Sequence, residues 1–266
     1  MGSKMDERLV RYEAREGIGW IVLHNPPANT YSYEMMRQLD EALLAARLDE
    51  AVHVLVLRGS GERFFCAGAD IGMLARSDPA YKYCFCLHAN ETLNRLEQTP
   101  KLVIAALNGH TVGGGLEIAL AADLRVARRG GGTLGLPEVK LGVLPGTGGT
   151  QRLTRLLGRA RAIELMVSGR TFGFEEAQDI GLVQEILAGE AFDQEVLDYA
   201  RRFLPPQAAS KAVGLIKRAV LSGSEAGFHE GLALERELQQ RLFESEDVRE
   251  GLAAYADKRP PRFRGR

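Results

Sequence analysis

Two glutamates occupy unusual surroundings. Glu117 falls in GHTVGGGLEIALAADLRVA (109–127), a run made mostly of glycine and aliphatic residues, and Glu138 follows Pro137 within the apolar stretch TLGLPEVKLGVLPG (133–146). An ionised carboxylate in such a setting costs several kcal/mol unless a partner offsets it or its pKa rises. A buried acid tuned in this way is suited to proton transfer. Taken alone, Glu138 also reads as an exposed loop acid. Glycines directly before the Glu117 helix let another group approach backbone N–H donors, and the start of a helix adds partial positive charge. Donors of this kind suit a developing oxyanion. FFCAGADI (64–71) offers a second set at the end of a buried strand, where Gly68 lets the backbone turn and Ala67 leaves the approach open. Either glycine loop alone also reads as a tight turn.

Other chemistries lack their local patterns. Ile118 stands where G-x-G-x-x-G needs its third glycine, and Gly115 stands where a P-loop needs its lysine. Neither G-x-S-x-G nor H-E-x-x-H occurs. Cys66, Cys84 and Cys86 are odd in number and lack zinc-site spacing, so no metal is expected, and a reducing, cytoplasmic compartment is. The net charge of −1 gives no electrostatic basis for nucleic-acid binding. Two basic clusters remain. Arg125, Arg128 and Arg129 are expected to form a solvated face, whereas the tail KRPPRFRGR (258–266) reads equally as a solvated face or as a phosphate contact. MGSKMDERL at the N-terminus resembles in part an expression scar, with no apolar signal region, and no apolar run is long enough to span a membrane.

The elements that must hold these groups alternate between strand and helix. RLVRYEA and GIGWIVLH pair as a hairpin, and Ser32 N-caps a helix burying Met36, Leu39, Leu43 and Ala46. VHVLVLRG is a buried strand. YKYCFCLHANETLNRLEQ is a helix, KLVIAAL a strand, a further helix starts at about Leu116, and DLRVARR is again a strand. LPGTGGTQRL opens a helix expected to run to Ser168, and GRTFGFEEAQDIGLVQEIL reads as turn, helix and strand. The reading is one βα-alternating α/β core over 1–204, a linker at Pro205–Pro206, and an amphipathic helical region over 205–266.

IAALNGHTVGGGLEIALAADL (104–124) resembles the signature segment of the crotonase (enoyl-CoA hydratase/isomerase) superfamily, and FFCAGADI and LGLPEVKLGVLPGTGGTQRL resemble its other two landmarks in the same order. The resemblance runs from NPPANTYS to YADKRPP. It implies a spiral of repeated ββα units, with a C-terminal helical region that packs as a homotrimer or as a homohexamer made of two trimers. The implied ligand is an acyl-CoA thioester, with no separate cofactor. Mapped by motif, the thioester oxygen is held by the N–H groups of Ala67 and Gly114. Glu117 and Glu138 match the acid–base pair of the hydratase branch, Glu117 chiefly activating water and Glu138 chiefly protonating carbon. Two close carboxylates should titrate as a unit with one pKa raised. The CoA contacts map to Ala67, Gly68, Ala69, Asp70 and Ile71, with Arg63 on the phosphate side and Tyr255 and Lys258 reaching in from a neighbouring subunit. Isomerase, hydrolase and decarboxylase relatives share the oxyanion hole, and some relatives bind RNA. The extra residue in RRGGGT (128–133) bears on the placement of Glu138, and NPPANTYSY on pocket shape. In the variable segment 73–93, Tyr83, Phe85 and Leu87 are expected to pack a helix.

Overall fold

RLVRYEA and GIGWIVLH form β1 (Val10–Arg15) and β2 (Ile18–Leu23), antiparallel with Arg15 opposite Ile18. This computed structural model describes residues 8–266; the rest of the apparent expression scar, through residue 7, lies outside the described residues. β3 (Val54–Gly59), β5 (Leu102–Leu107), β7 (Leu124–Arg128) and β10 (Glu185–Leu187) continue the sheet in parallel, in the order β1-β2-β3-β5-β7-β10. Parallel strands covered on both faces read as continuous apolar runs, which is why these were legible.

A second sheet, ordered β4-β6-β8-β9, is built from β4 (Phe64–Cys66), β6 (His110–Val112), β8 (Thr133–Gly135) and β9 (Phe172–Gly173). β4, β6 and β8 each follow a strand of the larger sheet and precede a helical segment. That succession is the spiral of ββα units. Strands of two or three residues carry no periodicity, and the glycine loops of the sequence reading are partly strand.

Ser32 accepts a hydrogen bond from Met35 N at 3.3 Å and starts α1 (Tyr33–Leu48), which buries Met36, Leu39, Leu43 and Ala46. α2 (Ile71–Arg76), α3 (Pro79–Glu97) and α4 (Gly114–Leu120) follow, α4 beginning two residues earlier than expected. The single helix expected to end at Ser168 is two, α5 (Gly149–Leu157) and α6 (Arg159–Ser168). Gly158 breaks them with φ 79° and ψ 159°, outside any helical region. α7 (Phe174–Asp179), α8 (Phe192–Arg201), α9 (Ser210–Glu225), α10 (Phe228–Phe243) and α11 (Glu246–Ala256) complete the chain. Leu55, Leu57, Val103 and Ala105 face the core shared with α1, α3 and α4, while Val54, Val56 and Ile104 face α8. No helix among the described residues is long and apolar enough to cross a membrane.

The basic cluster after α4 is a solvated face only in part: Arg129 is exposed and Arg128 half-buried, but Arg125 turns inward. Arg125 is buried, donating to Leu182 O at 2.7 Å and Ala122 O at 2.8 Å, and burial pushes its pKa down to about 10. Its guanidinium satisfies carbonyls that the end of α4 leaves open. The tail is folded back rather than free, since Asp247 accepts from Arg264 N and Gly265 N, both at 2.7 Å. α9 meets the core through Lys217, paired with Asp123 at 2.8 Å.

Candidate active site

Glu117 lies one turn into α4 and is 2% exposed. Its Oε1 accepts from Thr147 N at 2.8 Å and Gly149 N at 2.7 Å, and its Oε2 accepts from Thr147 Oγ1. Gly149 is the first residue of α5, so the carboxylate also meets the positive end of that helix. Three donors on one carboxylate are what a buried negative charge requires.

Glu138 begins a 3-10 turn, Glu138–Leu141, and its Oε2 is buried with no partner. Burial raises its pKa to about 7, with the charge of Glu117 adding to the rise and its own backbone N–H and Lys82 opposing it. The expected raised member of the pair is therefore Glu138. The strand that leads to Glu138 is fixed after the RRGGGT loop, because β8 pairs with β6 in register and Gly113 N donates to Gly135 O at 2.8 Å. Glu138 Oε1 sits 3.0 Å from where a β-carbon on Gly113 would be, and Gly113 has φ 58°. A side chain there would be both strained and in the way.

The pair of N–H groups free to meet an oxyanion differs at one position from the motif reading. The N–H of Ala67 is already bonded to Ala28 O at 3.0 Å, so it is not a free donor. Two residues on, Tyr31 N donates to Gly68 O and Asp70 N to Tyr31 O, both at 2.9 Å, in an isolated parallel bridge between Tyr31 and Ala69. Alternation along that bridge turns the N–H of Ala69 the other way. Among the described residues it has no hydrogen bond, and neither does the N–H of Gly114 at the start of α4. A β-carbon on Gly68 would lie 3.1 Å from Gly114 N, so the two segments touch. Ala69 and Gly114 are the pair of free donors. The signal that finds Ala69 is pairing across to Tyr31, which a glycine count does not carry.

Tyr31 ties the halves of the site together. Its hydroxyl lies 3.4 Å from Thr147 Oγ1, the group that holds Glu117, and 2.2 Å from where a β-carbon on Gly114 would be. Its ring stacks on Phe85 of α3 at 5.9 Å. Phe85 is buried as expected, whereas Tyr83 and Leu87 do not pack and are exposed. NPPANTYSY thus supplies a buried aromatic ring that lies against Gly114 and Thr147.

The remaining CoA-side candidates are dispersed. Asp70 is the N-cap of α2, accepting from Met73 N at 2.5 Å, and Ile71 is exposed beside it. Arg63 is exposed and lies over the Phe64 ring at 5.3 Å. Tyr255, at the end of α11, and Lys258 are exposed. Their tail anchors near His53 and Ser210, by the N-terminal end of β3, rather than at Glu117 or Glu138.

The model of the enoyl-CoA hydratase/isomerase family matches residues 13–266. The chain belongs to this family. Among family members it is similar to the mitochondrial methylglutaconyl-CoA hydratase of Rattus norvegicus, with 37% identity covering 98% of this chain and 84% of that protein. It is 35% identical to the 2,3-dehydroadipyl-CoA hydratase of Escherichia coli strain K12, over 98% of this chain and all of the other. The crystal structure of an enoyl-CoA hydratase from Geobacillus kaustophilus superposes with a TM-score of 0.94 at 41% identity, 98% of each chain being covered.

Proposed function

We propose that the protein is an enoyl-CoA hydratase, adding water reversibly across the 2,3 double bond of a 2-enoyl-CoA thioester. The observation that carries this reading is the asymmetry of the two carboxyl groups. Glu117 is held by three donors, while Glu138 faces the same site with an unpartnered oxygen and a pKa raised to about 7. Hydration needs a carboxylate to take a proton from water and a carboxylic acid to give one to Cα. Glu117 serves as the base and Glu138 as the acid.

Negative charge builds on the thioester oxygen as water attacks Cβ, and the N–H groups of Ala69 and Gly114 stabilise it there. General acid–base help is worth about 10²–10⁴-fold and an oxyanion donor about 10²–10³-fold. Hydration changes no oxidation state, so the reading needs no redox cofactor. For the CoA end, Arg63 and the backbone of 67–71 are the contacts within one chain. Tyr255 and Lys258 would come from a second copy, with the helical region over 205–266 as the surface that forms a trimer or a pair of trimers.

The test is loss of the conjugated enoyl-thioester absorbance of crotonyl-CoA with gain of one water by mass, beside Glu117→Gln and Glu138→Gln. Absorbance lost in the wild type and retained in both variants is the expected result. Double-bond migration or thioester cleavage instead would overturn it. The relatives' names include acyl groups that end in a free carboxylate, so the acyl wall decides the substrate class.

A further inference from the structure

The buried face of α3 runs through Phe85, Ala89, Thr92, Leu93 and Leu96. Continued one turn toward the helix start, the same stripe lands on Lys82, three residues before Phe85. A lysine on a core-facing stripe is out of pattern. Lys82 is half-buried, and its Nζ lies 5.3 Å from the centroid of the Phe85 ring. Phe85 in turn stacks on Tyr31, which lies against Gly114 and Thr147. This sequence of contacts puts the ammonium at the outer end of the wall that begins at the oxyanion donors.

The ammonium has no anion of its own. Lys82 forms no ion pair among the described residues. Asp78, the acid one turn before it, is engaged in capping Tyr81 N at 2.7 Å. The nearby acid that does feel its charge is Glu138. A ring face attracts a cation by about 0.5–1 kcal/mol at an exposed site, which is a weak substitute for a carboxylate.

We infer that Lys82 is the recognition group for a carboxylate at the far end of the acyl chain, so that the preferred substrates are monothioesters of dicarboxylic acids. This rests on the acyl-CoA reading above. Phe85 and Tyr31, both buried, back this wall from within the core, and the ammonium at its outer end takes the carboxylate. A neutral alkyl terminus leaves that cation unpaired.

Binding of saturated, unreactive thioesters of equal length tests this without turnover: adipoyl-CoA against hexanoyl-CoA, by calorimetry on the intact protein. A charge-assisted bond predicts about 10- to 100-fold tighter binding of adipoyl-CoA. Lys82→Met should erase that ratio, and Lys82→Arg should keep most of it. A ratio near one in the wild type, or a ratio that survives Lys82→Met, would overturn the inference. Hydration of crotonyl-CoA is read separately. Water addition with no binding preference sinks only the carboxylate subsite, and a Lys82-dependent preference without water addition sinks only the hydratase reading.

Discussion

Raising the pH should switch the enzyme off through Glu138, and the size of the effect follows from its surroundings. Burial and the neighbouring Glu117 charge raise this carboxyl from 4.5 to about 7. A carboxyl of pKa 4.5 would be protonated in about 0.3% of molecules at pH 7, whereas one at about 7 is protonated in about half, a gain of roughly 150-fold in competent enzyme. The sign is fixed by the role. In the proposed role Glu138 must carry the proton, so kcat/KM for hydration should stay high below pH 7 and fall about tenfold per unit well above it. Dehydration of the 3-hydroxyacyl product needs the pair to hold the same single proton, now on Glu117, so its kcat/KM must fall with the same apparent pKa. The assay is the initial rate at low substrate in both directions from pH 5.5 to 9, with Glu138→Gln as reference. A flat profile through pH 7–9, or a limb that persists unchanged in Glu138→Gln, would refute the assignment.

Other outcomes follow from the same contacts. Glu117→Gln should lower kcat by about 10²–10⁴-fold while changing thioester affinity only a few-fold, measured by steady-state kinetics and by binding of a saturated analogue. Thr147→Val deletes one of three donors to Glu117, and should reduce kcat by about tenfold with KM little changed. Gly114→Ala would drive a β-carbon to 2.2 Å from the Tyr31 hydroxyl. It should cost about 1–3 kcal/mol in urea denaturation along with most activity, and an unaffected variant would place Tyr31 elsewhere. Arg125→Met strands the carbonyls of Leu182 and Ala122 and should lower stability by about 1–3 kcal/mol or more.

The long strands and the burial of Glu117 were legible because burial writes itself into composition, whereas Glu138 alone reads as an exposed loop acid and its pairing with Glu117 comes only from the family resemblance. VHVLVLRG and KLVIAAL read as buried strands, and Glu117 among glycines and aliphatics announces a buried acid. The second sheet was not legible, since β4, β6, β8 and β9 are two or three residues long and are recognised by their partners. The free N–H of Ala69 was not legible for the same reason. Which N–H along 67–70 is free depends on hydrogen bonds to Ala28 and Tyr31, some forty residues earlier. Arg125 reads as surface charge beside Arg128 and Arg129, and only the packing of β7 under residues 182–184 turns it inward. Lys82 is hidden in a helix of mixed polarity until Phe85 shows which face is inside.

The three donors on Glu117 and their lack on Glu138 also bear on what happens between turnovers. In the proposed mechanism hydration ends with the proton on Glu117 and the charge on Glu138, the arrangement that the donors at Thr147–Gly149 oppose. Each cycle in that direction must therefore return a proton from one acid to the other, or exchange it with solvent, before the next substrate can react. In dehydration the enzyme starts from the scarcer proton arrangement and relaxes to the common one. Forward and reverse turnover thus draw on two tautomers of unequal population. In the proposed mechanism the hydrogen that enters the α-position of the product should therefore come from solvent, one per hydration, by way of this resetting step.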